Sequence, residues 1–189
     1  MSIQKVFKMP KTITLQARTS SITNAFVSGI IPAIQPTDQE VKEALDKLGL
    51  TEETIQCVYC GDKCTEWDHL RPIVKDKKPT GYITDIYNLV PCCGKCNQSK
   101  GNKQWEKWMR SNATYSPNTR KIQDLEERVA RIKKYEQWQE VEPIDLSGLC
   151  DRDDWNKHWE NLNSLNQLML DYNVHAQKIR NQIANNYKK

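Results

Sequence analysis

The sequence predicts an α+β protein in which a small cysteine-rich module separates an N-terminal arm and helix from a C-terminal helical region. Three observations support this prediction. Two Cys-x-x-Cys pairs enclose a stretch with strand and turn signals, a capped helical pattern precedes them, and apolar residues recur at helical spacing after them. We therefore divide the chain into residues 1–56, 57–110 and 111–189.

The first segment gives one strong signal and two weak ones. Residues 11–17 (KTITLQA) alternate apolar and polar side chains and predict a strand, whereas residues 27–34 are apolar but contain a glycine and a proline, which favours a loop or short strand. Thr37 and Glu40 form a capping-box pattern, and Gly49 ends the helix that follows. The apolar face of this helix consists of Val41, Ala44, Leu45 and Leu48.

The middle segment has the spacing of a metal site made of two short knuckles. Its cysteine pairs are Cys57 with Cys60 and Cys93 with Cys96. Four thiolates from two such pairs suit one tetrahedral Zn²⁺, which favours soft ligands in closed structural sites. Cys64 and Cys92 lie beside the knuckles and could compete as ligands, although their spacing fits less well.

The chain between the two knuckles is longer than a turn and contains chemically useful side chains. Asp68 and His69 lie on a predicted strand over residues 65–73, and Asn88 precedes the second knuckle, which Asn97 follows directly. A carboxylate, an imidazole and carboxamides in one module can hold and use a hard cation such as Mg²⁺. Between them, residues 75–81 (KDKKPTG) predict a basic loop.

These motifs, C-x-x-C, D-H-x-x-P and N-L-V-P-x-C-x-x-C-N-x-x-K, resemble the HNH (ββα-metal) nuclease family in its zinc-bound subgroup. The resemblance covers about a quarter of the chain and implies a zinc-stapled ββα-metal (HNH) module over residues 57–110, in which a β-hairpin carries the Asp-His pair and a helix carries the last motif residue. It also implies hydrolysis of DNA to 5′-phosphate and 3′-hydroxyl ends.

The resemblance assigns a role to each motif residue. Asp68 and Asn97 would bind the catalytic Mg²⁺ or Mn²⁺, His69 would be the general base, and Asn88 would order the loop that orients His69. The last position departs from the histidine of the family name, but an amide oxygen suits these hard cations well. The four cysteines would hold one structural Zn²⁺ per chain.

After the module, the sequence predicts helices. One is expected from Asn97 to about Arg110, with Trp105, Trp108 and Met109 inside, and others over residues 119–139 and 151–187. The last carries a long apolar stripe that fits a strict heptad only in part. Two interpretations of the stripe remain open: a helical hairpin packed on itself, or a helix pair that forms a homodimer.

The charge distribution suits a polyanionic substrate such as double-stranded DNA. The net charge is +4, and residues 57–110 contain ten Lys/Arg against six Asp/Glu. Residues 1–36 contain four basic residues and no acid. Basic residues near a nucleic-acid site contact phosphates generically, so Arg71 and Lys100 are candidate DNA contacts.

The cysteine content and the lack of a long apolar run indicate the cellular compartment. Seven cysteines in a chain that starts MSIQKVFKMPK, without the apolar core of a signal peptide, favour metal ligation in the cytoplasm. No apolar run is long enough to predict a membrane span.

Three function classes remain. A DNA endonuclease, most simply a dimeric type II restriction-like enzyme, uses every motif; a homing or phage-type nicking enzyme is the alternative within that class. A non-catalytic zinc-dependent DNA-binding protein and a structural zinc domain of a helical interaction protein leave Asp68, His69 and Asn97 unused.

Overall fold

A computed structural model describes residues 9–187 and has the predicted α+β class, with small sheets among helices. Contacts divide the chain into two compact units. The central unit is formed by residues 27–149, and the described part of the terminal unit by residues 9–26 together with residues 150–187. These units cut across the first and last of the three segments expected from the sequence. Lys5 and Lys8 of the basic arm lie outside the described residues.

The strand predicted over residues 11–17 is wrong. A 3-10 turn, Leu15–Arg18, leads directly into helix α1, Thr19–Gly29. Alternation stabilises a strand only where one face meets a core and a neighbouring strand supplies hydrogen bonds, and here Ile13 is 80% exposed. Residues 27–34 form the end of α1 and a loop, in which Ala33 makes an isolated parallel bridge to Thr84.

Helix α2, Asp38–Leu48, confirms the capping prediction at both ends. Glu40 N–H donates to the Thr37 hydroxyl at 3.3 Å, and Thr37 N–H donates back to the Glu40 carboxylate at 2.7 Å. Gly49 ends the helix with φ 66°, a left-handed conformation that a glycine adopts without steric cost. Both ends of α2 were predictable from the local sequence because each cap is formed by residues within one helical turn.

Two antiparallel strand pairs lie between the cysteine knuckles. Strand β1, Glu66–His69, is shorter than the predicted 65–73 and pairs with β4, Leu89–Cys92, in a register that places Asp68 opposite Val90. Strands β2, Val74–Lys75, and β3, Lys78–Pro79, form a separate small hairpin. Because alternate residues of a strand face opposite sides, Glu66 and Asp68 share one face of β1 and His69 lies on the other.

The single helix predicted from Asn97 to Arg110 is two helices. Helix α3, Gly94–Lys100, begins directly after β4 and packs on β1, and helix α4, Trp105–Met109, follows a short break. Gly101 causes the break, because its φ of 52° and ψ of −128° lie outside the helical region. The inward side chains are as predicted: Trp105, Trp108 and Met109 are buried.

Helix α5, Leu125–Glu136, closes the core of the central unit. It is shorter than the predicted 119–139, since Lys121 has a left-handed φ of 55° that interrupts a helix. Its buried side chains pack with those of α2, α4 and the first knuckle; the α5 members are Val129, Ile132 and Tyr135. The core includes Leu70, which follows β1 directly, and Val90 of the paired strand β4, and it therefore anchors the strand that carries Asp68 and His69.

The terminal unit is built on helix α6, Arg152–Asn186, whose N-terminus is capped by the Asp151 carboxylate. Leu15 N–H donates to the Asn173 side chain at 3.2 Å and ties the 3-10 turn to this helix. Leu162 is the buried residue of α6, and most of its other apolar side chains are exposed. Within residues 9–187 no helix combines the length and apolar character that a membrane span requires.

Candidate active site and metal centre

The four predicted zinc ligands come together in the structure. The sulfur atoms of Cys57, Cys60, Cys93 and Cys96 all lie within 4.8 Å of one another, and all four residues are buried. Tetrahedral zinc with Zn–S bonds of about 2.3 Å places its sulfurs about 3.8 Å apart, and Cys60 Sγ lies 3.7 Å from Cys93 Sγ. The buried cluster can therefore hold a metal ion such as zinc.

Backbone geometry explains why the two knuckles meet. In the first, Gly61 has a φ of 80° and its N–H donates to the Cys57 carbonyl at 2.8 Å, which closes a tight turn. In the second, Cys93 is the N-cap of α3 and Cys96 lies in its first turn. Val58 N–H donates to the Pro91 carbonyl at 3.0 Å and joins the first knuckle to β4.

Two arginines that the sequence did not single out support the cluster. Arg128, on α5, donates to the carbonyls of Cys57 and Val58 at 3.2 and 3.4 Å and is 9% exposed. Arg120 places Nη1 3.8 Å from Cys96 Sγ and pairs with Asp62 at 2.8 Å. Positive charge near thiolates favours their ionised form. Helical spacing predicted the position of Arg128 on α5 but gave no indication of these contacts.

Hydrogen bonds among the clustered thiols shift their pKa values in opposite directions. The hydrogen bond with Cys57 lowers the pKa of Cys60, whereas hydrogen bonds to Cys57 and Cys60 raise the pKa of Cys96. Burial raises the pKa of Cys92, which lies outside the cluster. Four thiolates this close require a compensating cation, and the donor set fits zinc.

Asp68 is held in a buried polar network. The residue is 5% exposed, and its Oδ2 accepts a hydrogen bond from the Tyr59 hydroxyl at 2.6 Å. The Lys100 ammonium lies 3.2 Å from Oδ1 and 3.0 Å from Oδ2. Burial raises the pKa of Asp68, although the Lys100 charge and the Tyr59 hydrogen bond oppose this rise. The network fixes the direction of the carboxylate.

Lys100 has a different position from the phosphate contact expected for it. Its side chain is fully buried, and besides Asp68 its ammonium donates to the carbonyl of His69 at 2.8 Å and that of Gly101 at 3.3 Å. One buried cation thus links α3 to two consecutive residues of β1. The structure gives Lys100 an internal partner and leaves no exposed surface on it for DNA.

His69 lies on the other face of β1 and is half-buried. Its Nε2 atom is 2.8 Å from the Thr84 hydroxyl oxygen, a contact that the sequence did not reveal. Burial and, secondarily, the Lys100 charge lower the pKa of His69, which favours the neutral ring. When Nε2–H donates to Thr84, the lone pair of Nδ1 becomes the basic site.

Asn88 joins the two loops that flank His69. Arg71 N–H donates to Asn88 Oδ1 at 2.8 Å, and Asn88 Nδ2 donates to the carbonyls of Arg71 and Ile83 at 3.0 and 3.2 Å. The side chain is fully buried, and both hydrogens of its amide nitrogen are donated. Asn88 therefore fixes the chain directly after His69 to the chain directly before Thr84.

Asn97 and Glu66 form a second link between α3 and β1. Asn97 Nδ2 donates to Glu66 Oε2 at 2.7 Å, which leaves the Asn97 carbonyl oxygen for another partner. Among the described residues no hydrogen bond joins Asn97 to Asp68. Glu66 was missed in the sequence, although its position two residues before Asp68 on a strand places both on one face.

The oxygens on this face suit a hard cation. Glu66, Asp68 and Asn97 offer carboxylate and amide oxygens, the donors that Mg²⁺ and Mn²⁺ take. A carboxylate has about four lone-pair sites, and Asp68 accepts two hydrogen bonds, from Tyr59 at Oδ2 and from Lys100 at Oδ1. Lone pairs therefore remain on the Asp68 carboxylate for a metal.

Arg71, the other candidate DNA contact, is partly built into the protein. Its guanidinium donates to the carbonyls of Tyr87 and Glu136 at 3.4 and 3.2 Å and lies over the Tyr82 ring at 6.0 Å. Its side chain is 15% exposed. The structure places Arg71 in the wall of a surface cleft, where its charge is partly compensated by Glu136.

Comparisons with known proteins agree with a nucleic-acid hydrolase. Residues 14–148 match the sequence family described as Endonuclease I. A segment of 65 residues, 32% of this chain, is 35% identical to the CRISPR-associated endonuclease Cas9 of Corynebacterium diphtheriae. The match spans only 6% of the length of that curated relative. No solved structure matches the chain.

Proposed function

The chain belongs to the endonuclease I family, and from this premise we propose that it is a metal-dependent DNA endonuclease of the zinc-bound HNH type. The observation that carries the proposal is the placement of two candidate catalytic groups on opposite faces of β1. Asp68 faces α3, which carries Asn97, and His69 faces Thr84. The antiparallel pair β1–β4, followed directly by helix α3 packed on β1, supports a ββα arrangement.

In the proposed reaction, His69 accepts a proton from a water molecule that attacks the scissile phosphorus. The water oxygen bonds to phosphorus, the bond to the 3′-oxygen breaks, and that oxygen takes up a proton from solvent, leaving 5′-phosphate and 3′-hydroxyl ends. Asp68 and Asn97 would hold Mg²⁺ or Mn²⁺, which when bound supplies Lewis acidity and neutralises developing charge. The general-base contribution is typically about 10²–10⁴-fold in rate.

The remaining polar groups would fix the reacting groups. Thr84 orients the imidazole of His69, and Asn88 joins the loops on either side of it. Lys100 holds the Asp68 carboxylate and the His69 carbonyl together. The cysteine cluster would hold one zinc, which fastens the end of β4 and the start of α3 to the first knuckle. A thiolate site of this kind suits the reducing cytoplasm.

We further propose a restriction-like enzyme that acts as a homodimer on double-stranded DNA. Two copies related by a twofold axis cut both strands most simply, and the exposed apolar residues of α6, such as Tyr172 and Ile183, are available for such an interface. Sedimentation as a monomer at micromolar concentration, with and without DNA, would contradict the dimer. A nicking enzyme of the homing or phage type would then be favoured.

Cleavage of a sequenced supercoiled plasmid tests the proposed activity. We expect Mg²⁺- or Mn²⁺-dependent cutting whose mapped ends carry 5′-phosphate and 3′-hydroxyl groups. Salt-sensitive duplex binding without cleavage under any divalent cation would indicate a non-catalytic zinc-dependent DNA-binding protein instead. Absence of both would leave a structural zinc domain.

A further inference from the structure

The hairpin β2–β3 carries three lysines at positions that local physics disfavours. Lys75 and Lys78 are directly opposite each other in the strand pairing, where like charges repel. Asp76 and Lys77 form the two-residue turn with φ values of 51° and 64°. Glycine or asparagine meets this left-handed requirement with less strain, yet lysine occupies the second position.

In the described part of the chain these lysines have no ion-pair partner. All three lysines are exposed. Asp76 is the one acidic residue inside the hairpin. Natural sequences depart from local preference mainly where function demands it, so the repulsion indicates an external anion.

The hairpin borders a cleft that begins beside the general base of the proposed reaction. The cleft has a volume of about 660 Å³ and is lined by Leu70 and Arg71, which follow His69 directly, as well as by Lys75 and Lys78. The exposed amide side chains of Asn102 and Gln104 also line it. Two carboxylates, Asp76 and Glu136, also line the cleft, and Glu136 lies 3.8 Å from the Arg71 guanidinium. The lysines and amides along the rest of this open cleft match a sugar-phosphate backbone.

The base of the hairpin is fixed relative to His69. Thr80 N–H donates to the Ile73 carbonyl at 3.1 Å, and the Thr80 hydroxyl donates to the Pro72 carbonyl at 2.7 Å. Asn88 holds the preceding residue, Arg71, through both of its backbone groups. These hydrogen bonds therefore hold the lysine-bearing hairpin in a fixed position relative to His69.

We propose that the lysine hairpin, residues 74–79, and its cleft bind the phosphates of the DNA strand next to the cleaved bond. This inference rests on the proposed nuclease function and deepens it by naming a substrate-binding surface. The hairpin contributes Coulomb attraction and positioning, without direct reading of base sequence.

The test compares two double variants that each remove two positive charges. Lys75→Gln with Lys78→Gln alters the hairpin, and Lys42→Gln with Lys121→Gln removes exposed lysines from α2 and from the loop before α5. The affinity for a mixed-sequence duplex of about 40 base pairs is measured from low to high NaCl without added Mg²⁺ or Mn²⁺. Each phosphate contact contributes about 0.9 to the slope of log Kd against log salt.

We expect the hairpin variant to lower this slope by about 1.8, the value for two phosphate contacts, and the control to leave it near the wild-type value. The hairpin variant should also melt at or above the wild-type temperature, because a like-charge pair is removed. Equal slopes for the hairpin and control variants would overturn the inference. Plasmid cleavage by the wild type is measured separately. If the wild type cleaves DNA and the slopes are equal, only the proposed role of the lysine hairpin is wrong. If the hairpin variant changes the slope and the wild type does not cleave, only the proposed nuclease activity is wrong.

Discussion

The Nε2 atom of His69 lies 2.8 Å from the hydroxyl oxygen of Thr84, fifteen residues further along the chain. The backbone of Thr84 is itself held on both sides, because Ile34 N–H donates to its carbonyl at 2.8 Å and its own N–H donates to the Pro32 carbonyl at 3.3 Å. A loop before the cysteine module thus supports the residue that orients the proposed general base. The loop that follows α1 therefore helps to position His69 through Thr84.

Thr84→Val should slow DNA cleavage by about 10-fold or more, because the orienting hydroxyl is lost while the side-chain shape is kept. Thr84→Ser retains the hydroxyl and should restore most of the rate. Single-turnover cleavage with saturating enzyme measures the effect, and melting temperature and zinc content serve as controls. Equal rates for the Val and Ser variants would show that the hydroxyl has no positioning role.

The buried pair of Lys100 and Asp68 gives a prediction about stability. Lys100→Met leaves the Asp68 carboxylate without its cation and should lower the free energy of unfolding by about 3–5 kcal/mol, as breaking a buried ion pair does. Lys95→Met, an exposed lysine on the same helix, should change it by no more than about 0.5 kcal/mol. Chemical denaturation of both variants is the measurement.

A contrary result for Lys100 is easy to recognise. If Lys100 is a DNA contact, Lys100→Met keeps wild-type stability and loses affinity for duplex DNA in a salt-dependent way. Such an outcome would mean that the internal contacts of Lys100 are not maintained in solution.

The cysteine cluster should be structural. Cys96→Ser removes one of four ligands, so the protein should lose its zinc and the central unit should unfold, because binding free energy of a structural metal is folding free energy. Cys64→Ser, which lies outside the cluster, should keep both zinc and fold. Elemental analysis and circular dichroism check this. A folded, zinc-free Cys96→Ser protein with full activity would contradict a structural metal.

Elements specified within a few residues were predictable from the sequence. Thr37, Glu40 and Gly49 define α2 because their interactions are local. The four cysteines were identifiable because metal ligation restricts both residue type and spacing. The strand over residues 11–17 was predicted wrongly, since the pattern says nothing about whether a partner strand exists.

The interior of the site depended on contacts between distant residues and was only partly predictable. The motif indicated Lys100 but gave no measure of its burial, which arises when α3 packs on β1. Thr84 lies in a loop without any pattern, and its role follows from a contact across fifteen residues. Glu66 could have been found from its alternation with Asp68.

Single-turnover cleavage of a bound duplex by His69→Ala tests the proposed general base most directly. The variant should keep its melting temperature, zinc content and DNA affinity, while the cleavage rate falls by about 10²-fold or more. Asp68→Asn should differ, because the Mg²⁺ or Mn²⁺ concentration needed for half-maximal rate should rise as well. Cleavage by His69→Ala at a rate near that of the wild type would contradict the assignment of the base and of the active site around it.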